Sequence, residues 1–172
     1  MRYTRRLTLP ALALTIAAAA ALMLAACAAT GVGGTLAPTA SAGIIRESLG
    51  GTLPGTAPGQ RLGLWHYTIP AGSRLSPHTH PGWQVARIVS GTLSYTIISG
   101  EATVLRGTGG TETHETGETF VLLAGDTIVE NPDLQHFGAN NGTVPVEIYA
   151  SSLFTDGQPP AIPLPGASPA AS

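Results

Sequence analysis

Gly72-Ser73-Arg74-Leu75-Ser76-Pro77-His78-Thr79-His80-Pro81-Gly82-Trp83-Gln84-Val85-Ala86-Arg87-Ile88-Val89-Ser90-Gly91 is the most informative run of this chain. Side chains alternate faces along an extended strand, so His78 and His80, two apart, point the same way. Gln84 joins that face if the strand runs on without a bulge. Neutral imidazoles beside an oxygen donor suit a divalent transition metal. Histidine is largely neutral near pH 7, so it can ligate without a large protonation cost. Such a face needs one more ligand from elsewhere, and the best candidate is His136, fifty-two residues after Gln84. The opposing reading leaves His78 and His80 as exposed loop residues beside Pro77 and Pro81. The His-x-His pairing, the same-face glutamine and the later histidine favour a site.

The spacing of this run, Gly72-(x5)-His78-Thr79-His80-(x3)-Gln84-(x6)-Gly91, resembles the first motif of the cupin superfamily, G(x5)HxH(x3,4)E(x6)G, with glutamine where the family has glutamate. A second stretch, Gly125-(x5)-Asn131-Pro132-Asp133-(x2)-His136-(x3)-Asn140, resembles the second motif, G(x5)PxG(x2)H(x3)N. The glycine, histidine and asparagine keep their register. Pro132 falls one place late, so a reshaped turn is expected before His136. The resemblance covers roughly residues 44 to 155. It implies an all-β fold, the double-stranded β-helix or jelly-roll barrel, with a metal held inside near one mouth by His78, His80, Gln84 and His136.

Gln84 bears on which metal that is. A glutamine oxygen is a neutral, weaker donor than a carboxylate. A site of three histidines and Gln84 holds less negative charge, which lowers affinity for hard Mn(II) and leaves Fe, Ni, Cu and Zn in play. The alternative is that Gln84 only hydrogen-bonds within the barrel, with three histidines and water on the metal. Both readings stay open. His66 and His114, in a strand-like run and a polar turn-rich stretch, read as structural or solvated residues.

The rest of the domain is punctuated as an all-β fold. Strand-like runs at 62–69, 83–89, 92–98, 102–106, 119–123, 127–130 and 144–151 are separated by Gly, Pro, Asn and Asp turns. No sustained helical period is present in the domain. Ala86 and Ile88 share the face of Gln84, so the pocket lining beyond the ligands is expected to be small and apolar. Trp83, Tyr95 and Phe137 either shape its mouth or serve as core packing. No carboxylate in the His78–Gln84 segment can act as a general base, and no Ser-His-Asp order, phosphate-cradling glycine loop or CxxC is present. Chemistry would therefore rest on the metal as Lewis acid or redox centre.

At the front, Arg2, Arg5 and Arg6 form a basic region, followed by an almost unbroken apolar run from Leu7 to Ala26. This reads as an export segment. Leu24-Ala25-Ala26-Cys27 resembles a bacterial lipobox, which implies lipidation of Cys27, the only cysteine. Ordinary cleavage at Ala26-Cys27-Ala28 and an uncleaved membrane anchor are the alternatives. Thr4-Arg5-Arg6-Leu7 faintly resembles a twin-arginine signal. The expected organisation is a signal peptide (1–26), a flexible Ala/Gly/Thr/Ser tether (27–43), the barrel (44–157) and a Pro/Ala-rich tail (158–172). That tail is read as disordered, or else as an arm packed on the barrel through Ile162 and Leu164.

All eight basic residues are arginines, three of them in the export segment, which leaves five against ten acidic residues and a net charge of −5. An acidic domain lacks the basic face that nucleic acid requires. With no basic amphipathic helix, membrane contact would be through the N-terminal lipid alone. The expected location is the extracytoplasmic side of a bacterial membrane, in the cell envelope, and the expected partner is a small-molecule ligand. A homodimer is left open. Two functions follow from the resemblance and the residues: a metal-dependent, dioxygenase-like enzyme on a small organic molecule, or a lipid-anchored protein that binds a metal or small ligand without turnover.

Overall fold

The computed structural model describes residues 43–167. The export segment, Cys27 and most of the tether lie outside these residues. Twelve strands follow in chain order: β1 (Ile45–Thr52), β2 (Gln60–Ile69), β3 (His78–Thr79), β4 (Gly82–Ser90), β5 (Thr92–Ser99) and β6 (Glu101–Leu105). Then come β7 (Thr111–Glu115), β8 (Thr119–Leu123), β9 (Thr127–Glu130), β10 (Gln135–Ala139), β11 (Val146–Thr155) and β12 (Ile162–Pro163). A seven-stranded sheet has the order β1-β2-β11-β4-β9-β6-β7, and a five-stranded sheet the order β12-β3-β10-β5-β8. Every pairing between these strands is antiparallel. From β2 onward the chain passes back and forth between the sheets, with β6 and β7 as the one hairpin kept within a sheet. This is a jelly-roll barrel, as the two motifs imply.

The alternation of burial explains the closure. In β4, Gln84, Ala86 and Ile88 point inward while Trp83, Val85 and Arg87 face out. In β5 the inward residues are Leu93, Tyr95 and Ile97, and in β9 they are Ile128 and Glu130. Ile69, Ile88, Ile97, Leu122, Ile128, Leu134, Val104 and Val146 are almost wholly buried. Each such side chain contributes roughly 1.5–3 kcal/mol from removal of apolar surface from water.

One expectation is corrected. The strand does not run on from His80 to Gln84. His78 lies on β3 in the five-stranded sheet, Gln84 on β4 in the seven-stranded sheet, and the chain turns the corner between them at Pro81-Gly82. Gly82 has φ +154°, and a Cβ there would lie 2.2 Å from the Leu153 carbonyl oxygen. Only glycine lets the corner press this closely on β11. The three side chains meet because the two sheets face one another.

The second motif has local causes too. Pro132 occupies the second position of a turn closed by Leu134 N–H on the Asn131 carbonyl (3.2 Å), a place where its fixed φ is favoured. Asn131 Oδ1 also accepts from Asp133 N–H at 2.9 Å. Asn140 is buried; its amide donates to the Ile69 and Val144 carbonyls and its Oδ1 accepts from Gly142 N–H. It is a bolt between the end of β2 and the loop before β11.

Residues 158–164 run beside β3. Ile162 pairs with Thr79 and Pro163 with His78, and Leu164 N–H donates to the Pro77 carbonyl.

Candidate metal centre

His78, His80 and His136 converge inside the barrel. They arrive from three places: β3, the corner after it, and β10, where His136 is the register partner of His78. All three are buried, and one ring nitrogen from each lies within 4.8 Å of the others. Ring centroids are 4.4 Å apart for His78 and His136, 5.0 Å for His78 and His80, and 5.1 Å for His80 and His136.

Backbone carbonyls fix two of the rings. A carbonyl oxygen can only accept, so His78 Nδ1–H donates to Ser76 (2.8 Å) and His80 Nδ1–H donates to Pro160 (2.6 Å). In its neutral form each ring therefore holds its lone pair on Nε2, as ligating histidines do, and when protonated His80 donates Nε2–H toward Glu130. Nδ1 of His136 is buried without a well-formed hydrogen bond, although the Leu134 carbonyl acts on that ring.

The sequence reading missed a carboxylate. Glu130, on β9, is 3 % exposed and is the register partner of Gln84 on β4. Tyr95 donates its hydroxyl to Oε1 (2.7 Å) and Gln84 Nε2 donates to Oε2 (2.6 Å). His80 Nε2 lies 3.2 Å from Oε2, and His136 Nε2 lies 3.4 Å from Oε1. Alternation from Ile128 in the 127–130 run placed Glu130 inward, and that was the available signal. Its pairing with Gln84 is a matter of register, which no local pattern reveals.

Gln84 sits in the same cluster. Its Nε2 also approaches His80 Nε2 at 3.2 Å, while its Oε1 is buried without a partner. Trp83 is 53 % exposed on the outer face, and Phe137 packs under Arg74 with the guanidinium 4.0 Å from its ring. Of the three aromatics only Tyr95 lines the interior. His66 pairs with Glu147 at 2.7 Å, and His114 stacks on Phe120 beside Glu118. Neither approaches the cluster.

The charges follow from burial and from Glu130. Burial lowers the His136 pKa to about 3, against the pull of Glu130. Burial, helped by His80, also lowers that of His78. Burial acts downward on His80 too, but the hydrogen bond and charge of Glu130 outweigh it and the net shift is upward. For Glu130, burial opposes ionisation, yet His136, His80 and Tyr95 hold its pKa well below the usual carboxylate range. Tyr95 is raised far up by burial and by the Glu130 charge, so it remains a donor.

This donor set fits a divalent metal. Three imidazoles offer nitrogen lone pairs to one region, and a buried amide oxygen in the cluster lacks a partner. Beyond it opens a cavity of about 510 Å³. Its walls are mostly aliphatic, including Ile69, Ala86, Ile88, Leu122, Ile128 and Ile148, with Arg46, Tyr67 and Ser76 as polar exceptions outside the cluster's own residues. Ala86 and Ile88 line it as their shared face with Gln84 implied. Pro160, Ala161 and Pro163 form part of the wall.

No protein-family model matches the sequence, and no curated protein matches it. Solved structures do. A cupin 2 domain-containing protein from Halorhodospira halophila is 16% identical, with a TM-score of 0.48 and 72% of each chain covered. A conserved protein of unknown function from Streptococcus pyogenes is also 16% identical, with a TM-score of 0.45, covering 67% of this chain and 77% of that one. Salicylate 1,2-dioxygenase from Pseudaminobacter salicylatoxidans is 15% identical with a TM-score of 0.39; the match covers 53% of this chain and only 20% of the dioxygenase. The jelly-roll assignment stands on this chain's own strand order and register, and among solved structures the chain is similar to cupin-domain proteins.

Proposed function

We propose that this protein binds one divalent transition metal through His78, His80 and His136 and uses it on a small, mostly apolar organic molecule, in a dioxygenase-like oxidation. The observation that carries this is the convergence of three buried imidazoles at an aliphatic cavity of about 510 Å³. That volume is in the range of pockets that take drug-sized ligands. A bound Fe, Ni, Cu, Zn or Mn ion supplies Lewis acidity and, for the redox-active members, electron transfer at open positions. The chain's own part is to bind and to exclude water. Ser76 and Pro160 hold two rings by their Nδ1 atoms, and mostly aliphatic walls surround the region beyond the metal.

A second reading is binding without turnover. It is favoured by the engagement of both Glu130 oxygens with Tyr95 and Gln84, and by walls that otherwise offer few acid–base groups. Metal analysis followed by oxygen-uptake screening separates the two. Purified protein is expected to carry one metal per chain, and a His78→Ala, His136→Ala variant to lose it. Undiminished metal in that variant rules out the site. Metal without oxygen uptake across a broad set of small aromatic and aliphatic compounds favours the binding reading.

We further propose that the protein is exported and anchored by lipid on Cys27, on the extracytoplasmic side of a bacterial membrane. The support is Leu24-Ala25-Ala26-Cys27 behind the basic and apolar regions. Cys27→Ser is expected to release the protein or stall its processing. A variant still found with membranes at the mature mass contradicts the lipid.

A further inference from the structure

We infer that Glu130 is the fourth ligand of this centre: the carboxylate that β4 lacks at Gln84 is supplied by its register partner on β9. The inference rests on reading the histidine cluster as a metal centre.

Geometry comes first. Ligands bound to one metal at about 2.1 Å lie about 3.0 Å apart at right angles and about 3.4 Å apart at tetrahedral angles. Glu130 Oε2 is 3.2 Å from His80 Nε2, and Oε1 is 3.4 Å from His136 Nε2. Both separations fall on the edge lengths of a coordination polyhedron. They are long for hydrogen bonds to a carboxylate, which are about 2.7–2.9 Å when charge-assisted.

Electron count comes second. His80 donates Nδ1–H to the Pro160 carbonyl, so its Nε2 meets Glu130 Oε2 either with a proton, as an ion pair, or with a lone pair. In the second form a cation beside both atoms takes the place of that proton and removes their repulsion.

The third point is capacity and support. Each carboxylate oxygen has two acceptor sites, and Tyr95 and Gln84 take one apiece, leaving one on each free for metal. Hydrogen bonds of this kind orient ligating carboxylates. Gln84 is then a positioning residue for Glu130. Two adjacent, antiparallel strands have exchanged the carboxylate across one register pair, Gln84↔Glu130.

The exchange changes which ion fits. Three neutral imidazoles and one carboxylate leave a divalent ion with a single net positive charge. Mn(II) and Fe(II), which accept carboxylate readily, are then suited to the centre. The weaker Mn(II) affinity expected of a site with only Gln84 does not apply.

The test is metal titration of the full-length wild type, Glu130→Gln, and the swapped double variant Gln84→Glu, Glu130→Gln. Mn(II) binding is followed by the electron paramagnetic resonance of the free ion, and coordination by the visible absorption of the Co(II) form. Glu130→Gln is nearly isosteric and is expected to lower Mn(II) affinity on the order of 100-fold, beyond the loss of an outer hydrogen bond, and to change the Co(II) bands. Tyr95→Phe, which removes only a hydrogen bond to Glu130, is expected to lose about 10-fold. The swap returns a carboxylate to the neighbouring strand and is expected to recover most of the affinity. Its recovery keeps the result interpretable if the single variant folds poorly. Wild-type metal binding with unchanged Mn(II) affinity and Co(II) bands in Glu130→Gln overturns this inference and leaves the three-histidine centre standing. Absence of metal binding in the wild type overturns both.

Discussion

Replacing Gln84 by glutamate sets a second carboxylate against Glu130. In the wild type Gln84 Nε2 donates to Glu130 Oε2 at 2.6 Å, with both side chains buried. The variant has no donor there. Two charges about 3 Å apart at an effective dielectric of 20 repel by roughly 5–6 kcal/mol. Taking up one proton is the cheaper route: at pH 7, protonating a carboxyl with an ordinary pKa near 4.3 costs about 4 kcal/mol, and it restores a donor between the oxygens. The metal-free variant should therefore hold one shared proton. The shared carboxyl has a folded pKa above its unfolded value. Its native state is fully stabilised below about pH 4.3 and loses about 1.4 kcal/mol, relative to wild type, for each pH unit above that. The deficit should be about 1.5 kcal/mol at pH 5.5 and about 4 kcal/mol at pH 7. Urea unfolding of chelator-treated wild type and variant at several pH values measures it. Saturating divalent metal should narrow the gap, because its charge replaces the proton. A deficit that does not change with pH would refute the opposition of Gln84 and Glu130.

Gly82→Ala drives a Cβ into the Leu153 carbonyl at 2.2 Å and strains the corner, so it should cost at least about 3 kcal/mol in thermal or urea melts. It should also weaken metal binding, since His80 and Gln84 flank the corner; wild-type melting would contradict the close approach. Deleting residues 158–172 removes the Pro160 acceptor of His80 and part of the cavity wall. Metal affinity should fall about 10–100-fold while circular dichroism still reports a folded barrel. His136 is buried with its pKa lowered to about 3, so the unfolded chain binds the extra proton first on acidification. The His136 share is about 1.4 kcal/mol per pH unit from roughly pH 6.5 downward, His78 adds in the same direction, and His136→Gln should remove about that share of the slope in urea melts of metal-free protein at pH 5 and 6.5.

Much of the architecture was legible locally. Alternation in 83–89, 92–98 and 127–130 marks β4, β5 and β9 within about a residue, because one face of each strand is core. Four strands escaped notice for equally local reasons: β10, Gln-His-Phe-Gly-Ala, holds a single large apolar residue and a glycine, and three others were hidden in other ways. β1 is exposed along its whole length and so carries no alternation. β7, Thr-Glu-Thr-His-Glu, is a polar edge strand set among glycines. β12 is built from two residues of a proline-rich stretch whose composition reads as free chain.

By itself the sequence determined the ingredients: an all-β chain of short strands, two histidines two residues apart, a third fifty-six residues after His80, and a glutamine where a carboxylate was expected. Tertiary structure decided what faces them. Sheet register set Glu130 opposite Gln84, the corner at Gly82 carried His78 and Gln84 into different sheets, and the C-terminal arm laid the Pro160 carbonyl on His80. Patterns of period two report which face a side chain takes. They carry no information on which residue of another strand lies across from it, because that is fixed by closing the two sheets around a common core.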